Sequence, residues 1–389
     1  MPKHLGLAAL GAVLVAALSL VGGTATADPP PSSVIVGHAY VNDNAAGSNT
    51  VAAFDRHADG SLTPIPGSPF PIGGTGLGAG LGSQGAIQLS PNRRFLLAVD
   101  AGSNQISVLR LTPRGVPELV GEPVSSGGVQ PVSIAVNRFG LVYVANVGNG
   151  GSNYTGFFLT PAGRLIPLLG TTVAVPEGSG VGDVLFNSTG DRLVGTRDNP
   201  SLIDSFTVRP NGRLVAAPGS PFAGQGLGQI GAEFRPTNPS ELYVSNAHNG
   251  PELGTVSAFH VSRNGVLRSI GDSPVPDGQT APCWVEISHD GKYLFAINTG
   301  SGNLSRYAIG RDGSLSLIGT TAPFTNRAGA ADARLSPDGK FLFVTGGRGL
   351  VVSGFAVNGG DVTELQDSPT ALPSGTSPSG TSPSGIAVL

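Results

Sequence analysis

The stretch Ser382–Leu389, SPSGIAVL, closes the chain on what reads as a strand, Gly385–Val388, reached through the Ser/Gly/Pro tract LPSGTSPSGTSPSG. A strand needs a neighbour for its backbone N–H and C=O groups. Nothing follows this one, so its partner must lie far back in the sequence. Finding that partner decides the fold.

One pattern recurs seven times: an aromatic residue or Leu on a strand, a turn ending in Gly, then a second short strand. The leading positions are Phe54, Leu109, Phe157, Phe206, Phe259, Tyr307 and Phe355, spaced by 48 to 55 residues. In six copies the turn Gly follows six residues later, as in FDRHADG and FTVRPNG; Asn-Gly or Asp-Gly between alternating strands is a strong hairpin signal. A second hairpin, as in AIQLSPNRRFLLAVD and WVEISHDGKYLFAIN, precedes most copies, but only six are whole. SVIVGHAY near the N-terminus matches its second strand, and terminal SGIAVL matches its first. The missing hairpin is therefore split between the chain ends, and the last strand pairs with the first repeat. The reading is all-β: a seven-bladed β-propeller with four antiparallel strands per blade. Pairing of N- and C-terminal strands closes the ring and covers an edge that an open array would expose.

The first 27 residues stand apart. A basic start, an apolar run and the small residues TATA form the pattern of a secretory signal, with cutting expected after Ala27. The propeller domain then spans 28–389, with 372–384 as a tether to the closing strand. Without Lys3 the remainder carries 21 basic and 25 acidic residues. That balance offers no footprint for nucleic acid or an anionic membrane surface. Cys283 is the single cysteine, so no internal disulfide can form. The expectation is a secreted, extracellular monomer with no membrane span after signal removal.

Segments such as SPDGKFLFVTGG, SHDGKYLFAINTGSGN and LVYVANVGNGG resemble the blades of the lactonase-type seven-bladed propellers, which include 6-phosphogluconolactonase and the carboxymuconate cyclases. The resemblance implies hydrolysis of a small lactone or cyclic ester at the mouth of the central channel. Enzymes of the family commonly carry a Pro-His-x-His run entering an inner strand. The matching place here is GSQGAIQLSP, where Ser83 and Gly85 stand at the two His positions. Neither can act as a general base as imidazole does. The alternative is a non-catalytic propeller that binds a sugar, peptide or envelope partner through the same face.

Inner strands alternate between two faces. One face, Ile87, Ile134, Val184, Ala232, Val285, Ala333 and Ile386, reads as core. The other carries Gln88, Glu233, Glu286 and Arg334, with Asp183, Trp284 and Asp332 one step nearer the mouth. Charges so near the axis are unusual unless paired. They are the candidate site: Glu233 or Glu286 as general base, Arg334 or Arg327 polarising a carbonyl, Asp183, Trp284 and Asp332 as ligand contacts. The same residues would also serve as inter-blade ion pairs, Glu286 with Arg334 in particular. A second polar ring at the second-strand ends comprises His38, Asp100, Asn146, Asn246 and Asn298, with Arg197 and His248 nearby; turn formation suits its Asn and Asp members. No metal site or cofactor is expected, because no His/Cys/Asp cluster has ligand spacing.

Overall fold

The computed structural model describes residues 34–325, 329–346, 349–373 and 380–389. The leading 27-residue segment and Arg327 therefore lie outside the described residues. Among those described there is no helix, and the chain forms seven antiparallel sheets. We number the blades in chain order: 35–71, 87–125, 131–174, 181–223, 229–276, 282–320 and 330–371.

The first blade takes its innermost strand from the other end of the chain. Ile386–Val388 pairs antiparallel with Ile35–Asn42, setting Val388 against Ala39, Ala387 against Tyr40 and Ile386 against Val41. His38 N–H donates to Leu389 O at 2.9 Å, and Leu389 N–H returns the bond to His38 O at 2.8 Å. Ile386 is fully buried. The closing strand is thus a core element with both faces covered.

Second strands such as Phe95–Asp100 (FLLAVD) are buried at every position. They lie mid-sheet with a neighbouring blade against each face, which explains why they read as continuous apolar runs instead of alternating ones. Interlocking of the blades is specific as well as apolar. Tyr40, Tyr143 and Tyr243 occupy one second-strand position in three blades. Their hydroxyls donate to the carbonyls of Gly115, Gly212 and Gly313 at 2.9, 2.7 and 2.9 Å. Each acceptor is the turn glycine of the next blade, held at a positive φ of 74° to 82°. The glycine that makes each turn possible therefore also receives the preceding blade's tyrosine.

The outermost strand is more broken than the repeat predicts. In six blades it divides into two short pieces, as Leu62–Pro64 and Phe70–Pro71, both paired with the third strand. Only in blade 6 do the pieces merge, into Leu315–Thr320, across a register shift. Of the tether, residues 374–379 lie outside the described set. The described remainder is packed and not free: Gly380 O accepts from Ala46 N–H at 2.8 Å, and Thr381 and Ser384 are buried.

Candidate functional site

The inner strands Pro131–Val136, Val181–Phe186, Gln229–Phe234, Pro282–Ile287 and Ala330–Leu335 surround the axis. Their axis-facing residues form two tiers, two positions and so about 7 Å apart along the strand. Ser133, Asp183, Trp284 and Asp332 make the upper tier, nearer the loops that lead into these strands. Gln88, Glu233, Glu286 and Arg334 make the lower tier, nearer the turns that lead out of them.

The upper mouth is plugged. The loop before Ile87–Leu89 crosses the axis, and the Gln84 side chain pairs with the backbone of blade 6 in the manner of a strand. Its Nε2 donates to Val285 O at 3.0 Å, and its Oε1 accepts from Val285 N–H at 3.2 Å. Ser83 O accepts from Trp284 Nε1 at 2.9 Å, while Ser83 Oγ donates to Val132 O at 2.8 Å. Gly85 N–H donates to Asp332 Oδ2 at 3.3 Å. Glycine suits position 231 beneath this plug, since a Cβ there would crowd the backbone of Cys283 and Trp284 as well as Gln84 Oε1. Ser83 and Gly85, the positions aligned with the family's His run, are thus plug residues. Gln84 between them was not singled out from the sequence; its only signal was a buried-type amide inside a Gly-rich loop.

Below the plug, two carboxyls are buried at the axis. Asp183 accepts from Ser133 Oγ at 2.9 Å and from Ala232 N–H at 3.2 Å. Burial pushes its carboxyl up to about 7 in spite of these bonds. Asp332 accepts from the N–H of Ala333 at 2.8 Å, and burial raises it to about 6.

In the lower tier, Arg334 stands between two glutamates. Its Nη1 is 3.1 Å from Glu286 Oε2 and 3.9 Å from Glu233 Oε2. Glu286 is committed, because its other oxygen accepts from Leu335 N–H at 2.9 Å and its side chain is 6% exposed. Glu233 differs: its side chain is 26% exposed, and Arg334 touches it only at long range. Desolvation first, then the nearby Glu286 charge, raises its carboxyl to about 8, against the opposing pull of Arg334. Burial alone would lower Arg334, but the surrounding carboxylates hold its guanidinium above the ordinary value.

Glu233 and Arg334 face a cavity of about 260 Å³ that opens between the lower turns, with Gln84 and Asp183 inside it and Gln88, Asn137 and Asn187 around it. They also border a second lobe of about 330 Å³, shared with Glu286, Arg93, His289 and Pro337. Access therefore lies at the mouth opposite the plug, and not at the end towards which Asp183, Trp284 and Asp332 stand.

The other candidates are elsewhere. Arg197 does close a second-strand end, clamping Asp204 with Nε 2.6 Å from Oδ2, while Tyr154 donates to the same oxygen at 2.9 Å. His38 does not belong to that ring. Because Val41 faces Ile386, the place equivalent to Asp100 falls to Asp43, whose carboxyl accepts from Thr50 Oγ1 at 2.6 Å and is raised by burial to about 7. His38 sits five residues earlier, 3.1 Å from Asp55 Oδ1. His248 Nδ1 lies 3.0 Å from Asp198 Oδ1, half exposed and away from the lower cavity. Trp284 is buried against the plug, and Cys283 is buried with its thiol pushed up to about 11. Among the described residues no group of three or more His, Cys, Asp or Glu is placed to hold a metal ion.

Residues 234–322 match the family model described as a lactonase, 7-bladed beta-propeller. Over that stretch the chain is similar to the lactonase-type seven-bladed propellers. No curated protein matches its sequence. Among solved structures it is similar to the periplasmic gluconolactonase of Pseudomonas aeruginosa, at 19% identity and a TM-score of 0.70, covering 91% of this chain and 99% of that one. A provisionally assigned 6-phosphogluconolactonase of Bacteroides uniformis gives 18% identity and a TM-score of 0.71, covering 91% and 99%. A Lactobacillus plantarum protein gives 17% and 0.70, covering 92% and 100%. At these identities the likeness to the structures speaks for the fold; the chemistry must be argued from the site.

Proposed function

We propose that this propeller hydrolyses a small lactone in the lower cavity, with Glu233 as general base and Arg334 as the carbonyl-polarising group. The observation that carries the reading is the pairing of an uncommitted carboxyl with a guanidinium at one cavity wall. Ionised Glu233 takes a proton from water as the water oxygen bonds to the lactone carbonyl carbon. Arg334 donates to the carbonyl oxygen, where negative charge develops. Collapse of the tetrahedral intermediate breaks the ring C–O bond, and Glu233 returns the proton to the departing ring oxygen. The product is the open hydroxy acid. A base near 8 suits this role, being both basic enough to accept the proton and ionised in a useful fraction.

The test is turnover of a panel of aldonolactones and aromatic lactones by the purified protein and by Glu233→Gln. Turnover should rise as pH passes through about 8 and vanish in the variant. Unchanged turnover in Glu233→Gln would overturn the assignment. A second reading, binding of a sugar-like ligand without hydrolysis, is favoured by Ser83 and Gly85 standing where the family's enzymes carry His. Calorimetric binding with no turnover would select it. We further propose that the protein acts after export, on the strength of its leading 27 residues.

A further inference from the structure

We infer that the preferred substrate is a lactone carrying an extended apolar substituent, its ring at Glu233 and Arg334 and its tail in a groove between blades 1 and 2; this rests on the reading just given. The lobe holding Glu233, Glu286 and Arg334 is also lined by Arg93 and Pro337. The same two residues line a groove of about 850 Å³, the larger of the two spaces they separate. The site and the groove are therefore neighbours across one arginine and one proline, at the same mouth of the channel.

The groove is built for an apolar occupant. Ile35, Val36, Pro66 and Val116 line it, and Ile35 and Val36 stand 52% and 45% exposed. Such side chains at the end of a strand, beside a recess of this size, leave apolar area in water that a ligand would cover. Of its charged groups, His38 meets Asp55 and Arg56 Nη2 reaches the carbonyls of Val36 and Leu389 at 3.4 and 3.5 Å, while Arg93 and Arg114 also line it and stand exposed. The fold explains the recess. Blade 1 borrows its inner strand from the chain end, and that strand is only three residues long, Ile386–Val388. Five of its counterparts run to six residues. Among the described residues the lower end of Ile35–Asn42 therefore has no full neighbour strand.

A bare sugar lactone would fill the axial lobe and leave the groove unused. A lactone with an alkyl or acyl tail would use both, with Arg93 and Pro337 flanking the join.

The experiment is a chain-length series from γ-butyrolactone to γ-dodecalactone, run on the protein and on Ile35→Asp. kcat/KM should rise by roughly fourfold for each of the first added methylenes, the factor for one buried CH₂. Ile35→Asp should flatten that rise while leaving γ-butyrolactone turnover unchanged. A flat series in the parent, or a series equally steep in the variant, overturns the inference. Should no lactone be turned over, the hydrolytic reading fails separately. The groove is then judged by fluorescence binding of cis-parinaric acid: displacement by γ-dodecalactone and loss in Ile35→Asp supports it, and binding that is absent or indifferent to Ile35 refutes it.

Discussion

Glu233→Gln should make the protein more stable in mild alkali, an unusual result for a change at a candidate catalytic residue. The folded state holds the Glu233 carboxyl at about 8 against an ordinary 4.5. Between those values the folded protein binds a proton that the unfolded chain releases. Stability from this group is therefore fully present below pH 4.5 and is lost as pH rises towards 8. Each unit of the interval is worth 1.36 kcal/mol, so pH 5 to 8 removes up to about 4 kcal/mol, a ceiling because neighbouring carboxyls and Arg334 respond together. Glutamine has the shape of the protonated acid and does not titrate. Unfolding entropy near 2.1 cal/mol/K per residue gives about 0.8 kcal/mol/K for a 389-residue chain. The variant should then match the parent at pH 5 and exceed its Tm by up to about 5 °C at pH 8. Calorimetric scans of both proteins from pH 5 to 9 measure this directly. Asp183 and Asp332 tilt both curves alike, so only the difference matters. Identical pH slopes would show that the cavity does not hold Glu233 neutral, and the base assignment would lose its physical ground.

Arg334→Met removes the guanidinium shared by Glu286 and Glu233 and should cost about 3–5 kcal/mol at pH 7. Urea titration should find a smaller loss at pH 5, where Asp183 and Asp332, raised to about 7 and 6, are largely protonated. Gln84→Ala leaves the N–H and C=O of buried Val285 without their partner, and calorimetry should show a loss of about 2–3 kcal/mol. Deleting Ser384–Leu389 uncovers the inner edge of Ile35–Asn42, so light scattering should record aggregation or a failure to fold; unchanged Tm and solubility would refute the role of the closing strand.

The closing strand was legible because a split hairpin leaves a countable remainder, six where seven were due. Strand alternation likewise placed Glu233, Glu286 and Arg334 on one face, since the two-residue period is local. What remained hidden depends on distances between blades. Which glutamate holds Arg334, and which is left to the cavity, follows from the 3.1 and 3.9 Å separations and not from spacing in the chain. The sequence points to His38 in place of Asp43 because blade 1 takes its register from a strand about 345 positions away, with no local turn to count from. The plug was invisible for a similar reason. Only the assembled ring shows Gln84 reaching residue 285 from its Gly-rich loop.

The plug also sets an order in time. Gln84 leaves the ribosome about 200 residues before Val285, and Ile35–Asn42 about 345 before Ile386–Val388. Neither can be satisfied while the chain is still being made. Loop-closure entropy must be met before such distant contacts return anything. Blades 2 to 5 can condense early on their own hairpins, whereas the axis and the first blade stay open until the last segments arrive. A partly made chain therefore presents one unpaired strand edge and an open channel, the two features that invite association with other chains.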